Sequence, residues 1–502
     1  MSLAQELDRN GTELWGTSGT ATRLRVHGLQ LHTTDELTGI SSWFGGRVKT
    51  LHPAIFGGIL APRDPAGTRE MEERGLHPFD LVAVQLYPFE NALQRKPSPT
   101  DEELIELIDI GGVSLLRAAA KNFPWVVPVP SPQEAELVIR ELREHGGAIS
   151  MELVRRLTAS TFQRTATYDA EICAWISRRS DLARPAPLLS VTRVESETLR
   201  YGENPQQAAW VYAGHEPDAG GLPWPLETIK GDALSYNNYL DIDNSVAIVA
   251  RFSTPAAAVV KHATPCGVAV SEDSARALAR ALETDPVARY GCVIALNREV
   301  TESVTAALKG TFVDLIIAPG YTSEALESLR RRSKVKVILF RGDMREVLDR
   351  KRHEVRTAAG RMLYQESDQK RLDLTAVRQV SRRSATPAEL SDMAFAWEVV
   401  RFVRSNAIVL ARSSTTTGIG GGQTSRVGAV RDAIAVAGER ARGSVLASDA
   451  FFPFRDGIDV AAAAGITAVL HPGGSIRDPE VITAADEHQM ALYTTGWRVF
   501  RH

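Results

Sequence analysis

The sequence predicts an α/β protein built on parallel sheets. Three observations carry that expectation. Short apolar, β-branched runs alternate with longer stretches of helical periodicity, turn residues close the runs, and the alternation occurs on both sides of one proline-containing break. In the first half the runs LVAVQLY (81–87) and WVVPVP (125–130) read as strands, and in the second half strands are expected at 256–260, 313–318 and 465–470. One helix is expected after Thr100, where Glu103 completes a capping box. Another follows Thr424 or Ser425, because Val427, Val430, Ile434 and Ala437 recur at helical spacing. The stretch LRRRSKVKVILFRGDMREVLDRKR (329–352) reads as solvated helix faces around one strand. The break, SRRSDLARPAPLLSVT at 177–192, mixes charge, serine and two prolines without periodicity and predicts a linker. It leaves a first domain at 1–176 and a second region at 193–502, long enough for two subdomains that meet at about 360–380.

Composition narrows the function classes. With 44 % apolar and 24 % charged residues over 502 positions, the chain has the make-up of a soluble globular protein with several cores, which excludes disorder and fibres. A net charge of −3 predicts no general attraction to nucleic acid or membrane, so the expected partners are small molecules. Cys173, Cys266 and Cys292 form no CxxC pair and point to a reducing compartment. No uncharged apolar run is long enough to span a bilayer, and the start is too polar for a signal peptide; the expected location is the cytoplasm.

Several stretches carry candidate chemistry. In AAAVVKHATPCG (256–267) a buried strand ends at Lys261 and His262, at the strand mouth where α/β proteins bind ligands. A cation beside an imidazole can polarise a carbonyl and move a proton; the alternative is a snorkelling lysine with a turn-bound histidine. GIGGGQTSR (418–426) feeds a helix, and reads either as an anion site completed by Arg426 or as a structural glycine turn. GGRVKTLHP (45–53) groups Arg47, Lys49, Thr50 and His52, and IDIGGVSLLRAAAKN (108–122) sets Asp109 and two glycines before a helix with Lys121. Both read as anion-contacting or as solvated loops. SDAFFPFRDG (448–457) offers either a stacking surface for a flat ligand or core phenylalanines, and the terminal WRVFRH is either frayed or docked. Eleven histidines without HxxxH spacing, and a Cys266 without a second cysteine, give no metal site.

Taken in order, GGRVKTLHP, LYPF, IDIGG with RAAAKN, LRYGENP, LSYNN, KHATPCG, IIAPGY, SNAIVLAR, GIGGGQTSR, ASDAFFPFRDG, PGGSIRD and RVFRH resemble the bifunctional AICAR transformylase/IMP cyclohydrolase family across nearly the whole chain. AICAR is 5-aminoimidazole-4-carboxamide ribonucleotide. The resemblance implies a methylglyoxal-synthase-like parallel-sheet domain without its first strand, then a transformylase region of two cytidine-deaminase-like subdomains lacking zinc. It further implies a homodimer and 10-formyltetrahydrofolate as co-substrate, with no metal required. By carry-over, Lys261, His262 and Asn406 would perform formyl transfer. Arg200, Tyr201, Gly291, Asp314, Arg426, Phe451 and Arg498 would hold the nucleotide, and Pro453, Phe454 and Asp456 would face the folate. For ring closure, Lys49, Tyr87, Asp109 and Lys121 match the family's reacting positions, and Thr50 and Gly111 its nucleotide contacts.

The family's opening strand and Ser-Val-Ser-Asp-Lys-Thr-Gly loop have no counterpart before MSLAQELDRNG, and Gln85 and Leu107 replace asparagines. The expected activity is therefore phosphoribosylaminoimidazolecarboxamide formyltransferase, with cyclisation to inosine monophosphate left open. Thr264, Gln206 and Arg404 also depart from the family pattern, as does the loop Pro286 to Cys292, where Arg289 and Tyr290 add a guanidinium and a phenol. They motivate an alternative, a specialised paralogue that formylates a related aminocarboxamide ribonucleotide for a nucleoside natural product. A non-catalytic nucleotide-binding protein is the third reading, and retention of Lys261 and His262 argues against it.

Overall fold

The computed structural model describes residues 1–40, 43–93, 95, 97, 99–179, 193–214, 224–349 and 353–502. The chain divides into two compact units, Met1–Thr192 and Arg193–His502.

In the first unit, β1 (Trp15–Gly16) pairs in parallel with β2 (His32–Thr33), and β3 (Leu81–Ala83) pairs in parallel with β4 (Val127–Val129). β3 and β4 are shorter than the apolar runs that contain them. In WVVPVP the ladder runs through Pro128 and ends at Val129, before Pro130, which lacks the N–H that a further step would need. The helix Gly111–Lys121 packs Ala118 and Ala119 beside Val82 and Val126, and turns Leu116 toward Phe89 and Tyr168. The capping box at Thr100 and Glu103 is formed. The helix Met151–Arg179 continues past the expected boundary at 176 because Tyr168, Ile172 and Trp175 lie on one helical face. Tyr168 and Trp175 close edge-on over Phe89, with ring centroids 6.3 and 5.6 Å away. Residues 180–192 of the expected linker lie outside the described residues.

The second unit opens with the antiparallel pair β5 (Arg193–Leu199) and β6 (Ala209–Gly214). A six-stranded sheet follows, made of β7 (Leu226–Lys230), β8 (Ala256–Lys261), β9 (Thr264–Val270), β10 (Cys292–Leu296), β11 (Val313–Ala318) and β12 (Lys336–Phe340), in the order β7–β12–β11–β10–β8–β9. After the hairpin of β13 (His353–Ala358) and β14 (Arg361–Glu366) comes a second sheet. It contains β15 (Arg378–Gln379), β16 (Ile408–Ala411), β17 (Thr416–Gly420), β18 (Val445–Ser448), β19 (Ala468–His471) and β20 (Ala491–Thr494), in the order β15–β20–β19–β18–β16–β17.

The two sheets repeat one plan. In each, three parallel strands are flanked on both sides by antiparallel ones, and a two-residue hairpin forms one edge. The apolar run before Lys261 is buried on both faces. Ala256, Ala258 and Val260 join one core while Ala257 and Val259 join the other, which is the alternation a covered strand requires. The helices Tyr236–Ala250 and Pro387–Val400 occupy matching places in the two repeats and share the first of these cores through Val246, Val249, Trp397 and Val400. The hairpin edges meet, with Val270 donating its N–H to the Ser414 carbonyl at 2.9 Å.

Candidate active site

β8 and β9 are joined by His262 and Ala263 alone, with φ of 55° and 53°. Two left-handed residues make the type I′ turn that suits a tight hairpin, a position where Asn-Gly is the easy choice. Placing histidine and alanine there costs roughly 1–2 kcal/mol per residue, so other contacts must hold the turn. They come from the helix Tyr236–Ala250. Asp241 Oδ1 accepts the Ala263 N–H at 2.6 Å, and Asn244 Nδ2 donates to the Ala263 carbonyl. His262 stands exposed at the tip, and half-buried Lys261 donates from Nζ to the Tyr290 carbonyl at 2.9 Å. Burial raises the Asp241 pKa and nearby Asp314 adds to the rise, while the Ala263 N–H and His262 oppose it. The second repeat builds the same turn from Ser413 and Ser414, with φ of 54° and 53°, whose N–H groups reach the two oxygens of Asp392 at 2.8 and 2.7 Å.

Asp314 lies on β11 in the same repeat. Its two oxygens accept from Asn238 Nδ2 at 2.7 Å and Lys336 Nζ at 3.1 Å, an engaged carboxylate at the strand's entry. Gly291, at φ 74°, closes the loop that presents the Tyr290 carbonyl to Lys261. Arg200 and Tyr201 follow β5, with the guanidinium 5.8 Å from the ring centre; Glu203 in the same segment accepts from Asn237 at 3.4 Å.

A cavity of about 390 Å³ in the second repeat is lined by Asn406, Arg426, Phe451, Pro453, Phe454 and Asp456, among others. The size suits a small molecule. Six residues separated by up to fifty positions meet there, and the glycine-rich run explains part of how. A Cβ on Gly418 or Gly420 would fall 2.0 or 2.2 Å from the Ala433 or Ala429 carbonyl, so these two glycines let the helix Arg426–Ala437 lie directly on β17. They are therefore packing glycines. Ser425 caps the helix by accepting the Gly428 N–H, and Arg426 occupies its first position. That guanidinium is buried, pairs with Asp449 and donates to the Ala407 carbonyl at 3.1 Å. Burial lowers its pKa and the Asp449 carboxylate counters.

The phenylalanines of SDAFFPFRDG divide. Phe452 is fully buried in the core, whereas Phe451 and Phe454 are 42 % and 48 % exposed at the cavity. The C-terminal segment is docked: Val499 is buried and donates to the Asp449 carbonyl at 3.0 Å, and the Arg501 carbonyl accepts from Ser405 at 2.9 Å. Arg498 is exposed and lies over Phe500, which also lines the cavity, at 4.6 Å.

The first unit gathers a second cluster at the C-terminal end of β3. Asp109 accepts the Gly112 N–H at 2.7 Å and also a Tyr87 backbone bond; burial raises its pKa, opposed by those bonds and by Lys49. A Cβ on Gly111 would lie 2.5 Å from Thr50 Oγ1, so glycine lets the helix start against that threonine. Tyr168 accepts the Asp109 N–H at 2.9 Å, and burial pushes its phenol up to about 12. Lys121 ends the helix that Gly111 begins, about 15 Å further along at the helical rise.

Asp241, Asn244 and Lys336 carry no signal of their role in the sequence, and Asn238 and Asp449 stand only as members of LSYNN and SDAFFPFRDG. An aspartate or asparagine within a helix carries no local signal of whether it faces water or a turn, and only the repeated topology exposes these roles. Cys266 and Cys292, near Lys261, have thiols pushed up by burial, which disfavours them as nucleophiles. Among the described residues, no group of three or more His, Cys, Asp or Glu side chains is arranged to hold a metal ion.

A family model described as "AICARFT/IMPCHase bienzyme" matches residues 119–436, and one described as "MGS-like domain" matches residues 1–114. A relative named "Bifunctional purine biosynthesis protein PurH" from Anoxybacillus flavithermus (strain DSM 21510 / WK1) is 42 % identical over 506 residues, covering 100 % of this chain and 97 % of its own. The protein of the same name from Magnetococcus marinus (strain ATCC BAA-1437 / JCM 17883 / MC-1) is 42 % identical over 519 residues, covering 100 % and 96 %. A solved structure described as "Crystal structure of ForH" is 33 % identical and covers 36 % of this chain and 91 % of that one, with a TM-score of 0.33. With a family model over more than half its length and relatives of this identity from end to end, the chain belongs to the AICARFT/IMPCHase bienzyme family.

Proposed function

We propose that this protein transfers the formyl group of 10-formyltetrahydrofolate to the 5-amino group of AICAR, and that its first unit closes the product to inosine monophosphate. Family membership supports the reaction class. The observation that carries the site is the Lys261–His262 pair, held on a strained turn at a strand mouth. The AICAR amine is a poor nucleophile because its lone pair is delocalised into the ring. His262 accepts the amine proton as the nitrogen attacks the formyl carbon, and Lys261 supports the negative charge that grows on the formyl oxygen. Collapse of the tetrahedral centre returns the carbonyl and expels the folate nitrogen with a proton.

Asn406 orients the formyl group, Phe451 closes over the nucleotide, and Pro453, Phe454 and Asp456 give the folate a flat, partly polar pocket. The Arg426 side chain contributes directed N–H groups more than free charge, since Asp449 balances it. In the first unit, Lys49, Tyr87 and Asp109 place the carboxamide against the formyl group for loss of water. A homodimer belongs to this reading, consistent with aromatic side chains left exposed at the cavity rim. So does a cytoplasmic setting: among the described residues no helix is long and apolar enough to cross a membrane, and the three cysteines are free.

The test incubates the protein with AICAR and 10-formyltetrahydrofolate, following tetrahydrofolate release and product mass. Inosine monophosphate supports both activities, and accumulated formyl-AICAR supports only the transformylase. His262→Ala should abolish release while AICAR affinity stays within about threefold. An unaltered protein that releases no tetrahydrofolate overturns the proposal.

A further inference from the structure

Asn244 sits nine residues after the helix cap Ser235, on the same helical face as Asp241, and it is fully buried. Its carboxamide reaches in three directions. Nδ2 donates to the Ala263 carbonyl in the strained turn and lies 3.4 Å from the Phe402 carbonyl. Oδ1 accepts from Arg501 Nη1 at 2.9 Å. Arg501 in turn accepts the Ser405 N–H on its carbonyl, next to Asn406. One buried amide thus ties the turn that carries Lys261 and His262 to the segment that carries Asn406.

The second repeat shows what the fold alone requires. At the matching helical step, nine residues after Thr386, stands Phe395, a core aromatic, and Asp392 holds both serine N–H groups of the equivalent turn. The turn forms there without an amide at this step. In the first repeat the hairpin has the reacting residues, and the amide is present with its donor and acceptor atoms engaged. A buried carboxamide is expensive unless so satisfied, and a hydrocarbon here would leave the Arg501 guanidinium and the Ala263 carbonyl without it.

We propose that Asn244 is a positioning residue for formyl transfer, setting the Lys261–His262 turn in register with the Asn406 segment through Arg501. The proposal rests on the formyltransferase reading of Lys261 and His262. Small displacements at reacting groups lower rate more than binding.

The experiment uses the full chain with Asn244→Asp, Arg501→Met and the double variant. Asn244→Asp keeps the acceptor for Arg501 but sets a carboxylate oxygen against the Ala263 carbonyl; Arg501→Met cuts the link at its other end. Each should lower kcat for tetrahydrofolate release by about 10- to 100-fold, with KM for both substrates within about threefold. The double variant should fall little below the worse single one, as expected for a shared path. Ring closure of supplied formyl-AICAR, in the other unit, reports that each variant is folded, and circular dichroism melting checks the second unit. Variants that melt earlier yet keep wild-type kcat, or two losses that simply multiply, overturn the positioning role. If His262→Ala itself retains turnover, the reading of the pair fails and this proposal falls with it. A dead His262→Ala beside fully active Asn244 and Arg501 variants sinks the positioning role alone.

Discussion

At the level of single side chains, burial decides which charges exist. His471 closes β19, where its Nδ1 accepts the Gly473 N–H at 3.3 Å, so the ring proton lies on Nε2, buried with no partner among the described residues. Burial drives its pKa down to about 4; Asp478 opposes the fall and Arg426, to a smaller extent, adds to it. The sign follows from linkage. The unfolded chain binds a proton near pH 6.5 and the native one resists it until about 4, so native stability is full above pH 6.5 and drains away as pH falls through that window. The loss amounts to about 3 kcal/mol once pH is below both values. His471→Gln should therefore flatten the acid limb of a urea-unfolding series between pH 7 and 4 by about that amount. Parallel acid limbs in the two proteins would show that His471 is not the buried neutral group described. At the turn, legibility was partial for a similar reason. The pair Lys261–His262 was visible as chemistry ending an apolar run, but the aspartate and asparagine that hold it were not, because their partners are backbone groups about twenty residues away.

At the level of elements, the sequence read best where one periodicity has one explanation. The strand at 313–318 appeared as expected, as did the capping box at Thr100 and a helix capped by Ser425. Where proline bounds an apolar run, as at Pro130, the strand stops, since pairing depends on N–H groups as well as apolarity. The run GIGGG left two readings open that only packing separates. Composition cannot distinguish a glycine that faces a phosphate from one that admits a helix, and a Cβ distance can. Because Gly420 lies against the helix backbone, Gly420→Ala should push the helix Arg426–Ala437 off β17 and destabilise the unit by about 1–3 kcal/mol in urea titration. The same shift moves Arg426 and the cavity wall, so formyl transfer should weaken while ring closure does not. A Gly420→Ala protein with unchanged stability would mean the helix has room that the structure denies it.

Across the whole molecule, the ordered motifs made the family legible, and the repeated sheet order explains why the second unit is so large: one plan is used twice, sharing a core. That repetition left no short sequence period, because strand order and hairpin geometry are kept while the side chains differ. Lys261–His262–Ala263 in one repeat stands where Arg412–Ser413–Ser414 stands in the other. The first unit carries its own cluster around Asp109, and Lys261 and His262 belong to the second unit. Chemistry should separate in the same way. Asp109→Asn keeps an oxygen for the Gly112 N–H but removes the carboxylate, so ring closure should fall by about 100-fold while tetrahydrofolate release stays at its normal rate. Formyl-AICAR would then accumulate in place of inosine monophosphate, which mass analysis of a single reaction mixture reads directly. A parallel fall in tetrahydrofolate release would instead show that the transformylase depends on an intact first unit, and the two activities could no longer be treated as independent sites on one chain.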